Sequence, residues 1–123
     1  MISTAKALYD FFSGFGIAAY AADTVPDDAE LPYLTYPQQE PEWSKKATFY
    51  VSVYYRSKTS NLSALTKADE IAQAIGNGVK IHCDGGYVFI WPENPLIQTI
   101  PQNGDVRGAY INLSINAYHT PGV

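Results

Sequence analysis

The sequence has little of the residue types that most often carry chemistry. It contains one cysteine, Cys83, and two histidines among its 123 residues. A single cysteine excludes an internal disulfide framework and a cysteine-rich zinc site, and it fits a reducing compartment. The two histidines, His82 and His119, are far apart in the chain. We therefore expect no metal site and no cofactor.

Charged residues are also scarce, at 16% of the chain against roughly 25% in soluble domains. The 8 Lys and Arg residues against 12 Asp and Glu residues give a net charge of −4, and no run of basic residues occurs. Tight, sequence-independent binding of nucleic acid is therefore not expected. No stretch has the roughly 20 consecutive apolar residues of a membrane span, so we expect no membrane partner.

Aromatic residues are abundant, in contrast. They make up 14% of the chain, and tyrosine alone contributes 10 residues. The apolar fraction of 46% is enough for one hydrophobic core, and the length predicts a single domain over residues 1–123. Because tyrosine joins a large apolar ring to a polar tip and is enriched where proteins meet, the composition favours an interaction protein.

Two helices are predicted from apolar spacing. Residues Ser3 to Ser13 place apolar side chains three and four positions apart, and Gly14 and Gly16 end this segment. Residues Asn61 to Ile75 repeat the same spacing more strongly, with Gly76 as the stop signal.

Period-two alternation predicts the strands. Ala47 to Arg56 alternates, and Gly108 to Tyr118 is the strictest example, with Ala109, Ile111, Leu113, Ile115 and Ala117 predicted to face the core. Val79 to Cys83 and Tyr87 to Trp91 flank a turn sequence and predict a hairpin, because Gly85 tolerates a positive φ. Pro92 and Pro95 are predicted to break the second of these strands, with a short further strand over Leu96 to Ile100.

The segment from Asp23 to Lys46 is acidic and contains four prolines. We interpret it as an extended arm that holds one short strand, Tyr33 to Tyr36, at a sheet edge because prolines flank it. Together these elements predict an α+β domain with one mostly antiparallel sheet of four to five strands, two helices packed on one face, and the Pro-rich arm.

Sequence motifs of catalysis are not evident. No serine occupies a nucleophile elbow, and no glycine-rich phosphate loop precedes a helix. A nucleophilic pair of Cys83 and His119 stays open, because catalytic partners need only be close in space. The tyrosines around Tyr54 and Tyr110 could stack on single-stranded nucleic acid, but with Arg56 as the nearby cation we favour packing or a protein interface.

Several segments, taken in order, resemble a known protein family. They are the short N-terminal helix, the Leu-Pro-Tyr-Leu-Thr-Tyr-Pro segment at 31–37, the strand Phe49 to Tyr55, the Ala-Asp-Glu-Ile-Ala-Gln-Ala-Ile helix at 68–75 and the closing strand Gly108 to Tyr118. This arrangement resembles the tail terminator, or tail-completion, proteins of long-tailed phages, a group that includes small chains called minor capsid proteins.

The resemblance implies a non-enzymatic structural subunit. Such a subunit assembles as a homo-oligomeric ring, typically of six copies, that caps the tail tube and joins it to head-connector proteins. DNA passes through the ring without specific binding, and the protein is found in the virion and, during assembly, in the host cytoplasm. We expect the subunit interface to be anchored by aromatic side chains: Tyr33, Tyr36, Trp43, Tyr54 and Tyr110.

Two alternatives remain at this point. The arm from Asp23 to Lys46 could reach a neighbouring subunit, or it could lie on its own domain as a lid. The whole chain could instead be a small enzyme or ligand-binding α+β domain, with a pocket between the helices and the sheet.

Overall fold

The computed structural model describes residues 3–37 and 46–119. Its elements are α1 (Thr4–Phe12), a 3₁₀ turn (Ser13–Phe15), β1 (Ala18–Ala21), β2 (Tyr33–Tyr36), β3 (Ala47–Arg56), α2 (Leu62–Ile75), β4 (Val79–Cys83), β5 (Gly86–Asn103) and β6 (Val106–His119). All the strands belong to one sheet in the order β1-β2-β3-β6-β5-β4. Ser3 caps the N-terminus of α1, because its side chain accepts a hydrogen bond from the Lys6 N–H.

The predicted sheet was wrong in strand number and in type. Residues 3–37 and 46–119 form mostly sheet, with six strands curled into a half-barrel and two helices, instead of four to five mostly antiparallel strands. The sheet is mixed because β1 pairs with β2 in parallel, whereas the other pairs are antiparallel. Strand β1 was missed because three of its four residues are alanine, which has a low preference for strands. Because β1 pairs with β2, β2 is an inner strand, and the prediction that it lies at a sheet edge was wrong.

Strand β5 continues from Gly86 to Asn103, through Pro92 and Pro95, so the predicted break at these prolines was wrong. The pairing with β6 shifts between Pro92, opposite Leu113, and Ile97, opposite Ile111. Four residues, 93–96, therefore stand opposite the single residue Asn112 and form a bulge. The prolines are accommodated at this bulge, where the regular ladder is interrupted.

Other predictions are confirmed. Strand β3 has the predicted bounds, α2 begins one residue later than predicted, and β4 and β5 form the expected hairpin with Gly85 at a φ of 80°. The five alternating residues of β6 predicted to face the core are all buried, none of them more than 3% exposed.

Both helices help to cover this buried face. Helix α2 contacts the central strands β3, β6 and β5, while α1 contacts both β1 and β4, the two edges of the sheet. On the α1 side, the ring of Phe12 stacks on two others. Its centroid lies 5.2 Å from that of Tyr36 and 5.9 Å from that of Phe49. Neither α1 nor α2, the helices of residues 3–37 and 46–119, covers the opposite face of the sheet. Within residues 3–37 and 46–119, neither helix has the length and apolar character needed to cross a membrane.

Candidate interaction face

The face of the sheet opposite the helices, here called the open face, is covered with aromatic side chains. Strand alternation places seven of the ten tyrosines there, because each is next to a core-facing residue of its own strand. These are Tyr20, Tyr33, Tyr50, Tyr54, Tyr87, Tyr110 and Tyr118. Phe89 and Trp91 of β5 belong to the same face. Such a concentration of large amphipathic rings is typical of surfaces that contact another molecule.

One end of the open face combines aromatic rings with negative charge. Three rings form a continuous cluster across β1, β2 and β3: Tyr20, Tyr33 and Tyr54. The ring centroid of Tyr33 lies 5.6 Å from that of Tyr20 and 5.5 Å from that of Tyr54. The loop between β1 and β2 adds four exposed carboxylates, which have no ion-pair partner in the described part of the chain. They are Asp23, Asp27, Asp28 and Glu30. We call this cluster and loop the acidic end.

The other end, at β4, combines aromatic rings with positive charge. Lys80 Nζ lies 4.2 Å from the centroid of the Tyr87 ring, a cation–π contact. The Tyr87 ring in turn stacks on Tyr118 at 5.1 Å and contacts the ring of His82 at 6.3 Å. Among residues 3–37 and 46–119, no carboxylate pairs with Lys80. We call this group the basic end.

A groove of about 690 Å³ lies between the two ends, on β3, β6 and β5. The rings of Tyr50 and Tyr110 meet edge to face beside it, with centroids 6.0 Å apart. Its polar side chains include Asn112, Gln98 and Glu93. The bulge in β5 forms one wall, because it carries residues 93–96 away from the regular ladder. We call this feature the central groove.

The charges in the central groove are arranged around Glu93. Ser114 Oγ donates a hydrogen bond of 3.0 Å to its carboxylate, and Lys46 Nζ lies 3.3 Å from the same oxygen. These contacts lower the pKa of Glu93 below its ordinary value, the Ser114 hydrogen bond first and the Lys46 contact second. Lys46 also lies over the Trp91 ring, 5.9 Å from the centroid. The carboxylate is therefore held ionised beside its cation.

The predicted interface residues are found in three different settings. Tyr33 and Tyr54 touch each other at the acidic end, and Tyr110 lines the central groove. Tyr36 is only 3% exposed and packs in the core of its own domain, where burial, followed by the charge of Tyr9, raises its pKa. Trp43 lies outside the described residues. Their part in an interface stays a prediction.

Sequence reasoning missed some of the aromatic residues of the open face: Tyr20 at the acidic end, and Tyr87, Phe89 and Trp91 on β5. Tyr20 was missed together with β1, but Tyr87, Phe89 and Trp91 had a readable signal. They alternate with Val88 and Ile90, both fully buried, so period two places the three rings together on the other face. The contact of Lys80 with Tyr87 follows from the hairpin register, in which His82 is opposite Tyr87 and Lys80 opposite Phe89.

The positions of the possible metal ligands and of Cys83 and His119 follow from the strand pairing. No cluster of three or more His, Cys, Asp or Glu side chains suitable for a metal ion occurs within the described residues. Cys83 and His119 both lie opposite Gly86, so their Cα atoms are two strand spacings apart, roughly 10 Å. The Cys83 sulfur accepts a hydrogen bond from Thr4 Oγ1 at 3.6 Å. This contact ties the thiol to α1.

Comparisons with known proteins address the fold alone. No family model and no curated protein matches the sequence. Five solved protein chains match the structure. One of them, whose name describes no function, has a TM-score of 0.64 and 18% sequence identity, over 94% of this chain and 91% of its own. The chain therefore shares its overall fold with a solved structure along nearly its whole length.

Proposed function

We propose that this protein is a structural subunit that assembles into a ring, as a tail terminator or head-tail joining protein of a long-tailed phage. The observation that carries the proposal is the chemical difference between the two ends of one sheet face. The acidic end presents three tyrosine rings with exposed carboxylates, and the basic end presents two tyrosine rings with Lys80.

Two different surfaces on one subunit suit a cyclic assembly. A ring requires head-to-tail contacts, in which one surface of a subunit binds a different surface of its neighbour. In the proposed contact, Asp27 and Asp28 of one copy lie near Lys80 of the next, while the tyrosine clusters of the two copies pack against each other. Because β1 and β4 are opposite edges of the sheet, each copy keeps one end for each neighbour.

Aromatic burial supplies most of the affinity in this scheme, and charge selects the orientation. The carboxylates of the loop are exposed, so each ion pair between copies contributes little by itself. A like-charge contact between two acidic ends is unfavourable, and the head-to-tail orientation is therefore preferred over a two-fold pair of identical ends.

The proposed DNA passage agrees with the charge balance. The chain carries a net charge of −4. In the described residues, most cations already have a partner within the subunit: Lys6 with Asp10, Arg56 with Asp105 and Lys67 with Glu70 are examples. A ring of such subunits repels phosphates, and DNA moves through it without being held. The proposal places the protein in the virion, and in the host cytoplasm during assembly.

Light scattering combined with size-exclusion chromatography tests this function. We expect the purified protein to show concentration-dependent assembly that ends at a fixed mass, with closed rings in electron micrographs. A monomer at all concentrations up to the millimolar range, or open filaments without closure, contradicts the ring. A small species that is stabilised only by an added ligand would favour the alternative of a ligand-binding domain.

A further inference from the structure

The central groove is chemically distinct from both ends of the open face, and the proposed ring does not use it. It lies on β3, β6 and β5 and shares no lining residue with the acidic or the basic end, although Tyr54, Tyr87 and Tyr118 of those ends are on the same strands. Its volume, about 690 Å³, falls within the range of roughly 300–1,000 Å³ that small-molecule sites occupy. A groove of this size on a rigid sheet is suited to a ligand of several rings.

The charges of the groove slightly favour a neutral ligand over an ionic one. Lys46 and Glu93 lie 3.3 Å apart and neutralise each other, and Glu93 also receives the Ser114 hydrogen bond. An anionic ligand would have to displace Glu93 from Lys46, and a cationic ligand would have to displace Lys46 from Glu93. Each displacement loses this contact, and the loss is small because both side chains are exposed, at 59% and 39%. A neutral ligand avoids both costs.

The walls of the groove fit a ligand with flat apolar faces. Tyr50 is 51% exposed, and its edge-to-face contact with Tyr110 holds the ring in place. Two rigid rings offer a large contact area at a small cost in side-chain entropy. The faces of a pyranose ring that carry C–H groups pack well against such aromatic surfaces.

The floor of the groove offers oriented hydrogen-bonding groups. Asn112 Nδ2 donates both to the Pro95 carbonyl oxygen and to Gln98 Oε1, the second at 2.9 Å. These bonds fix both amides, while Asn112 Oδ1 and Gln98 Nε2 have no partner in the described part of the chain. An acceptor and a donor are thus held side by side, which matches a pair of neighbouring hydroxyl groups, each able to donate and accept. A purely apolar ligand would leave both amide groups unpaired.

We propose that the central groove binds a short neutral oligosaccharide. Tyr50 and Tyr110 contact the apolar faces of its sugar rings, and Asn112 and Gln98 bond its hydroxyl groups. Solvent-exposed sites of this kind bind weakly, so we expect a dissociation constant on the order of 1 mM.

Saturation-transfer difference NMR on the full chain tests the site. The probes are trisaccharides of glucose, galactose, N-acetylglucosamine and rhamnose at 10 mM, together with a blocked tri-alanine peptide as a neutral hydrogen-bonding control. We expect transfer to the ring C–H protons of at least one trisaccharide and none to the peptide. Tyr50→Ala should reduce the transfer at least tenfold, and Asn112→Leu should reduce it to a similar degree.

A matched control uses Tyr9, which is 49% exposed on α1, away from the groove. Tyr9→Ala should leave the transfer unchanged, and the melting temperatures of the variants verify that each is folded. If Tyr50→Ala does not fold, Tyr50→Ser and Gln98→Leu replace it. The proposal is overturned if no trisaccharide receives transfer, if the peptide binds instead, or if Tyr9→Ala and Tyr50→Ala lose binding equally.

Discussion

Tyr33 and Tyr54 lie directly opposite each other on β2 and β3, with their ring centroids 5.5 Å apart. Two residues that the sequence places in separate segments therefore form one contact inside the subunit. Tyr20 extends the contact to β1. The aromatic surface at the acidic end is consequently rigid before any partner arrives, which lowers the entropy cost of binding.

A double-mutant cycle measures this contact. We expect Tyr33→Ala and Tyr54→Ala to be less than additive in the free energy of unfolding, with a coupling of about 0.5–1.5 kcal/mol, the range of aromatic pairs. Urea unfolding of the four proteins gives the value. Strict additivity would mean that the rings do not contact each other in solution.

The buried face of β6 can be tested with one substitution made at two places. Leu113 is 1% exposed in the core, whereas Leu62 is 69% exposed at the start of α2. Leu113→Ala should lower the free energy of unfolding by about 2–5 kcal/mol, because it leaves a cavity. Leu62→Ala should change it by less than about 0.5 kcal/mol. Equal losses in urea unfolding would reject the assigned faces.

Gly78 provides a test of the contact between the start of β4 and β5. A Cβ at this position would lie 2.2 Å from Cζ of Phe89, and the φ of +152° already favours glycine. Gly78→Ala should therefore cost about 1–3 kcal/mol in thermal or urea unfolding. Gly14→Ala is the matched control, since no atom lies within 4 Å of the new Cβ.

The double variant Gly78→Ala, Phe89→Ala isolates the cause. If the Phe89 ring is responsible, the alanine at position 78 should cost clearly less in the Phe89→Ala background. An unchanged cost would assign the effect to the backbone conformation alone.

The ionised state of Glu93 predicts a pH dependence with a definite sign. Its pKa is lowered in the folded protein, so the stability it contributes is present above its ordinary pKa and is lost as the pH falls through the lowered value. Ser114→Ala removes the largest cause and should raise the pKa of Glu93, as measured by NMR titration of the carboxyl carbon. Ser52→Ala, made in the same groove, should leave it unchanged. No difference between the two variants would reject the role of Ser114.

The sequence predicts the elements whose burial pattern is regular, and fails where the pattern is weak. In β6, strict alternation of apolar side chains leaves one register, because a slip by one residue would expose the entire buried set. In β1, three alanines give no such signal, and pairing with β2 decides the structure. In β5, the prolines predict a break, because a proline has no N–H to donate to the strand ladder. The bulge accommodates them without ending the strand.

The candidate surface was predictable only in part, for a related reason. Alternation tells which tyrosines share a face within one strand, as for Tyr50 and Tyr54 in β3. It does not tell which strands are neighbours, so the order β1-β2-β3 that assembles Tyr20 with Tyr33 and Tyr54 could not be read. The same alternation, with Thr35 on one face and Tyr36 on the other, places Tyr36 in the core, where it is 3% exposed.

The most direct test of the proposed ring is a charge exchange between the two ends, measured by native mass spectrometry. One variant carries Lys80→Glu, and the other carries Asp27→Lys with Asp28→Lys. Each alone should assemble less than the unmodified protein, because like charges then meet at every contact. Mixed in equal amounts, they should regain the assembly, with the two variants alternating around the ring. Variants that each assemble as well as the unmodified protein, or a mixture no more assembled than its components, would contradict contact between the acidic and basic ends.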